Sequence, residues 1–497
     1  MSNIRVTYSG LISFVFGFAS LITGLIFTII VTRSLTPEEF GTWGIIGTLV
    51  GYVIMMNPMV AYWSTREIAR GNETGRTSVQ TSFMLSIVAV LIYFIIAIFF
   101  GQSTEIETSL LFFAAIMIPA QFVQMTLVSI TVGHKPYLAE GGLMVFEIFK
   151  IPLGFVLVYF LDMGLEGAII TITGSYVASA IFLGIKSRQR LKGKFKKKFV
   201  KKWIRLVWLP AYPKIASIFT RSDVAVFTLI TGSVGGIAYW SAANSVAHMI
   251  KHAAKINRAV YPKLLGGGKK EYFQENIVRV FYFVFPLAAM TIIFAKPGLF
   301  ILNPLYAEAE IVVIALVPLI FLRVINSMCS QALKGIEKVD TNEQSSFKDY
   351  IKSKLFFLPT LENIQRGLYL LVLILVLIFT SGNYLEIELL VFWALVSFIT
   401  QLPFTIYLLF LIKKEFNPTW DYKTISKYLI SSIVVFGIIQ IIMKEYLIYK
   451  IEIFEFVPNF LPFLICSIFA YLGMTYLLDK KTRNLVKSII KEMKLKG

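Results

Sequence analysis

At 497 residues, 57% hydrophobic and only 15% charged, the chain is too apolar for a water-soluble globular protein, whose charged fraction is near a quarter. It reads as an all-α polytopic membrane protein. The formal net charge of +19 would suggest nucleic acid in a soluble chain, but cytoplasmic loops of membrane proteins collect Lys and Arg, so no nucleic-acid partner is expected.

Apolar runs of about 20 residues, enough to cross hydrocarbon as a helix, predict about fourteen spans: 8–32, 41–63, 78–100, 109–132, 141–161, 164–185, 206–231, 234–258, 279–302, 308–333, 355–379, 385–411, 426–445 and 456–478. The first run is longer than a signal-peptide core, lacks a small-x-small cleavage site and is followed by many similar runs, so it is expected to stay as a span. After the sixth comes the most basic stretch, Lys186 to Arg205, which holds no acidic residue and can hardly cross a membrane. Placing it in the cytoplasm assigns a side to every other loop. The same side then carries Arg66, Arg70, Arg76, Lys135, Arg258, Lys263, Lys269, Lys270, Lys413, Lys414 and a basic tail with Lys487 and Lys494. The opposite side is richer in acids, among them Glu105, Asp162, Glu166, Glu308, Glu310, Glu386 and Glu388. Both termini are therefore expected in the cytoplasm and the protein in the cell membrane.

The loops on the acidic side are mostly short, which disfavours a membrane enzyme that must hold catalytic groups there. His134, His248 and His252 are too scattered for a metal cluster, and Cys329 and Cys466, both in apolar runs, read as packing residues. No cofactor is expected, and with no Gly-rich phosphate loop, direct drive by ATP is not expected either.

Ionisable residues inside spans are costly and usually face the bundle interior or a water-filled cavity. Glu147 and Lys150 stand three apart on one helix face and could neutralise each other. Lys214 and Arg221 share a face two turns apart, with Asp223 roughly opposite Arg221. His248, Lys251, His252 and Lys255 form a basic stripe; for the two lysines the competing reading is snorkelling to the interface. Arg323 has Asn326 one turn on, and Glu362 and Arg366 are at i,i+4. Cations outnumber acids. Such a surplus fits a hydrated cavity whose counter-charge comes from an anionic substrate, with phosphate or pyrophosphate suited to Arg and Lys. Arg33 at the end of the first span, Lys150, Lys214, Arg221, Asp223, Lys251, Lys255, Arg323 and Arg366 are the candidate cavity residues.

Three stretches carry a family likeness. Thr32 to Trp43, TRSLTPEEFGTW, is similar to an R-x-L-G-P-x-E-Y-G turn after a first span, with Thr36 where Gly is usual. Arg221 to Ala243, RSDVAVFTLITGSVGGIAYWSAA, is similar to an Asp-containing seventh span followed by V-G-x-Y-x-x-A, with Tyr261-Pro262 behind it. Leu305 to Leu322, LYAEAEIVVIALVPLIFL, is similar to an L-Y-x-x-A run entering the tenth span. With them the chain resembles the polysaccharide-export (Wzx-type O-antigen or lipid-linked oligosaccharide flippase) branch of the MOP flippase superfamily, over about its first 340 residues.

That resemblance implies two six-helix lobes, 1–185 and 206–412, joined by the basic cytoplasmic linker 186–205 and followed by two additional helices and a basic tail in 413–497. It implies transfer of a polyprenyl-linked oligosaccharide to the outer leaflet by alternating access, with membrane lipids and glycan-assembly proteins as further partners. A faint internal repeat aligns Phe40-Gly41-Thr42-Trp43 with Ile237-Ala238-Tyr239-Trp240. An ion-coupled multidrug-type exporter and a membrane glycan polymerase or ligase are the alternatives. The sugar, the carrier lipid, the driving force and the oligomeric state stay open.

Overall fold

The computed structural model describes residues 23–135, 137–259, 271–337, 339, 347–480 and 482–483. The start of the first predicted span, Tyr261-Pro262, Lys263, Lys269, Lys270, Lys487 and Lys494 lie outside them.

The described residues are mostly helical, with no strand among them. Ten helices are long and apolar enough to cross a membrane, eleven if one bent pair counts as a single span. Fourteen unbroken spans are therefore not present among the described residues, and the departures have local causes. α1, Thr23–Ser34, is described only from Thr23. The second span is α2 (Pro37–Ile54) and α3 (Pro58–Ala69), bent by 55°. Pro58 removes a backbone donor there, as prolines do in helices. The buried Asn57 beside it donates from Nδ2 to Phe122 O at 3.0 Å and to Ser82 and Thr126 at 3.3 Å, so the break is polar and tied to the two helices that carry those residues. The seventh span is shortened by Pro210 and Pro213 to α9, Ile215–Thr231, and the eighth changes at His248 from α10, Gly235–Ala247, to a 3₁₀ segment, His248–Ala259.

Between these lie α4 (Gly75–Ser103), α5 (Thr108–His134), α6 (Leu138–Phe160), α7 (Gly164–Lys186) and the short basic α8 (Lys197–Arg205). After them come α11 (Glu271–Ile293), α12 (Ala295–Leu302), α13 (Glu310–Gly335), α14 (Lys354–Thr380), α15 (Glu386–Phe416), α16 (Tyr422–Tyr446) and α17 (Ile453–Leu478).

The chain groups into two compact units, Met1–Ser241 with Pro359–Leu390, and Ala242–Leu358 with Val391–Gly497. In the first, α2 starts where it does because Thr36 and Glu39 form a reciprocal cap: Thr36 Oγ1 accepts from Glu39 N at 3.2 Å, and Glu39 Oε2 accepts from Thr36 N at 2.9 Å, with Pro37 in the first turn. The TRSLTPEEFGTW stretch is thus a helix-start device. α3 through α7 pack on one another, and at the end of this group opposite the cap, α8 sits against α3.

In the second unit, lipid tails are as apolar as leucine, so helices associate by packing and polar contacts instead of by escape from water. Aromatic rings do most of this here. Tyr282, Phe294, Phe436, Phe456 and Phe460 join α11 to α16 and α17, Tyr471 donates to Tyr282 O at 2.7 Å, and Tyr428 donates to Asp479 Oδ2 at 2.9 Å. The two additional C-terminal helices are therefore built into a core.

Candidate functional site

One face of α2 carries Gly41, Gly44, Gly47 and Gly51, spaced three or four apart and so stacked along one side of the helix. Small residues of this kind let neighbouring backbones approach closely. Gly41 is pressed so close to the Val234 carbonyl that a Cβ would collide with it, and a Cβ on Gly44 would stand 2.9 Å from Ser241 Oγ and 3.0 Å from Ile237. The start of α2 and the start of α10 thus touch beside the faint repeat, through Gly41 and Gly44 on one side and Val234, Ile237 and Ser241 on the other. Near the same end, Ser233 Oγ bonds Glu386 and accepts from Gly236 N at 2.8 Å.

Lower on the same face, the Arg221 guanidinium occupies the space a side chain at Gly51 would need. Its Nη1 donates to Gly47 O at 3.4 Å, and the arginine is exposed. Beside it, Tyr52 OH donates to Ser222 Oγ at 3.1 Å. Asp223 points elsewhere, as its position on α9 requires. It is 8% exposed, its Oδ2 accepts from Tyr369 OH at 2.9 Å, and its Oδ1 accepts from Val224 N at 2.8 Å. Tyr212 bonds Thr360 at 2.5 Å and accepts from Asn363 Nδ2 at 3.4 Å, so α14 is fixed to the start of α9 as well as to its middle. Half-buried Arg366 lies between Asn363 and Tyr369, three residues from each, and Lys214 is exposed at the entry to α9. α9 ends at Gly232, whose φ of +70° is a left-handed cap suited to glycine, with its N–H bonded to Thr228 O.

In the second unit, α13 packs along His248–Ala259. Lys251 Nζ is 2.6 Å from His248 Nε2, and since an ammonium can only donate, Nε2 is the acceptor. Arg323 and His252 are within electrostatic range of His248. The structure therefore brings Lys251 and Arg323 together around one imidazole. One turn from Arg323, the amide of Asn326 is 7% exposed, and neither its oxygen nor its nitrogen has a hydrogen-bond partner among the described residues. The Lys255 side chain lies outside the described atoms.

Lys150 is placed differently. Its Nζ is 2.5 Å from Glu147 Oε2, which also accepts from Thr23 Oγ1 at 2.8 Å, and it lies over the rings of Phe146 and Phe27 at 5.2 and 5.6 Å. Glu147 and Lys150 are both buried. Half-buried Arg33 is near the end of α1. Removing one member of a buried ion pair strands the other, at a cost of about 3–5 kcal/mol. Lys150→Ala is therefore expected to lower membrane abundance and thermal stability in detergent, whereas Glu147→Gln with Lys150→Met should recover most of the loss; equal instability of the single and double variants would contradict the pairing.

Tyr52, Tyr369 and the glycines of α2 carry no charge, and a reading of charged residues passes over them. The spacing of the glycines was a readable signal; the tyrosines offered none, because nothing in sequence pairs position 369 with position 223.

No protein-family model matches the sequence, and no curated protein does either. Solved structures do share the fold. The lipid II flippase MurJ, in an inward closed conformation, aligns with TM-score 0.65 at 15% identity over 96% of this chain and 100% of that one. An inward-facing multidrug resistance MATE family transporter of the MOP superfamily aligns with TM-score 0.58 at 14% identity, over 80% of this chain and 95% of that one. A MOP superfamily transporter from Pyrococcus furiosus, described as having a binding pocket of reverse polarity, aligns with TM-score 0.54 at 13% identity, over 84% and 97%. The chain thus has the all-helical fold common to MurJ and the MATE transporters of the MOP superfamily.

Proposed function

We propose that the chain is a flippase that carries a polyprenyl phosphate- or diphosphate-linked oligosaccharide from the cytoplasmic to the outer leaflet by alternating access, without covalent chemistry. The observation that carries this reading is the exposed Arg221 guanidinium, held on α9 in the predicted seventh span against Gly47 and Gly51, on a fold shared with a lipid II flippase. An exposed cation at membrane depth is stable only where water or an anion reaches it. In the second unit, half-buried Lys251 and Arg323 near His248 add positive charge. Phosphates answer such cations, and an arginine fork can grip one with two hydrogen bonds.

On this reading 1–185 and 206–412 act as the two lobes, 413–497 is accessory, and the substrate's lipid tail stays in the bilayer while its head passes between leaflets. The basic 186–205 segment faces the cytoplasm by the positive-inside rule, which puts Gly41, Val234 and Glu386 at the outer end. The MATE likeness favours a second reading, export of small organic cations, but such cargo calls for acids, and the ionisable residues of the predicted spans are mostly cations.

The test is reconstitution of the full chain in vesicles with a labelled polyprenyl diphosphate oligosaccharide in one leaflet. The expected result is equilibration between leaflets faster than in protein-free vesicles and blind to small organic cations. Ion-driven uptake of those cations without lipid movement would support the exporter instead, and release of free glycan or polymer would mark an enzyme.

A further inference from the structure

α8 has two faces of opposite chemistry. Its inner face holds Phe199 and Trp203; Trp203 is 2% exposed and packs with Val60 and Trp63 of α3, with Phe199, Leu85 and Leu206 around them. A second anchor is electrostatic. Lys202 Nζ is 2.7 Å from Glu67 Oε1, and Glu67, itself buried, also accepts from Asn72 Nδ2 at 2.7 Å. Ahead of the helix, Lys196 N donates to Thr77 Oγ1 at 3.0 Å. The segment is therefore a fixed element, although its composition reads as a solvated charge run.

The outer face is the reverse. Lys197, Lys201 and Arg205 recur at i, i+4 and i+8, so they line one side of the helix with Lys198 beside them, and all four are exposed. Within that basic arc Ile204 is 68% exposed, and Phe195, just before the helix, is also exposed. No acidic residue occurs between Lys186 and Arg205 to neutralise the arc. A soluble polyanion would be met by cations alone; cations with outward apolar side chains on a helix docked flat at the end of a span match a bilayer surface.

We propose that α8 is a docking platform for anionic phospholipid headgroups: the Lys197, Lys198, Lys201 and Arg205 side chains bind headgroup phosphates while Ile204 enters the acyl boundary beneath them. Trp203 and the Lys202–Glu67 pair hold the platform on α3, so the headgroups gather at one fixed place beside the bent span. Naming the leaflet cytoplasmic rests on the charge-based orientation proposed above; the binding itself does not.

The test uses the full chain in detergent, with Cys329→Ala, Cys466→Ser and Ile204→Cys carrying a polarity-sensitive dye, titrated with short-chain phosphatidylglycerol, phosphatidylcholine or inorganic pyrophosphate. Phosphatidylglycerol should give a saturable blue shift that weakens with added salt, while the other two give none. Each nearby Lys or Arg contributes to attraction by an anionic surface, so replacing Lys197, Lys198, Lys201 and Arg205 by Gln should raise the phosphatidylglycerol midpoint at least about tenfold. These residues are outside the packed face, so the variant should keep the wild-type elution profile. An equal shift with phosphatidylcholine, a shift with pyrophosphate alone, or a midpoint unmoved in the four-Gln protein would each overturn the proposal. The readout is binding, so it stands or fails independently of any transport result.

Discussion

Arg221→Ala should lower lipid-linked oligosaccharide flipping about 10- to 100-fold, the equivalent of a charge-assisted hydrogen bond of about 1.5–3 kcal/mol, while membrane abundance stays near wild type. The expectation rests on where the side chain lies. Arg221 is exposed, it rests against Gly51 of α2 with a long 3.4 Å bond to Gly47 O, and the neighbouring Asp223 is engaged by Tyr369, so truncation empties a groove without stranding a buried charge. Arg221→Lys should recover part of the activity, since it restores a charge but not the planar fork. Asp223→Ala should behave in the opposite way and lose abundance first, because Tyr369 OH would be left without its acceptor at a buried site. Normal flipping by Arg221→Ala at normal abundance would remove the arginine from the substrate path. A loss of abundance that matches the loss of flipping would make it a structural residue.

Gly41→Leu should arrest transport by preventing α2 from closing on the segment that begins α10. Even one added carbon at Gly41 would collide with the Val234 carbonyl, and overpacking of a close contact costs about 1–3 kcal/mol, enough to shift a two-state equilibrium by roughly 10-fold or more away from the packed state. With Gly41 at the outer end, the variant should populate the outward-open state. A membrane-impermeant thiol reagent should then label a cysteine placed at Ile237, which is fully buried in the packed arrangement, faster than in the parent protein. Unchanged labelling together with unchanged flipping would show that this contact does not open during transport.

The apolar runs made the long helices legible: α4, α5, α6, α7, α13, α14, α15, α16 and α17 lie within a few residues of the predicted spans. The breaks were less legible. Pro58, Pro210 and Pro213 are visible in sequence, but whether a proline bends a helix or ends it depends on which neighbours surround the break, as Ser82, Phe122 and Thr126 surround the Asn57 amide. Among the charges, the Glu147–Lys150 pair was readable from its spacing of three. The meeting of Lys251 and Arg323 around His248, and of Asp223 with Tyr369, was not, because local periodicity carries no information on contacts far apart in the chain. The same limit applies to α8, whose charge run conceals Trp203 and the Glu67 contact that hold it in place.

The most direct measurement of the central claim joins the flipping assay to a reversible lock. Gly44 and Ser241 face each other closely enough that cysteines at the two positions fall within disulfide reach. In a background of Cys329→Ala and Cys466→Ser, the Gly44→Cys, Ser241→Cys protein is reconstituted with a labelled polyprenyl diphosphate oligosaccharide, and its leaflet exchange is followed before oxidation, after oxidation and after reduction. Alternating access predicts that oxidation stops exchange, because the outer end can no longer open, and that reduction restores it. Exchange that continues at the same rate in fully cross-linked protein would contradict the account.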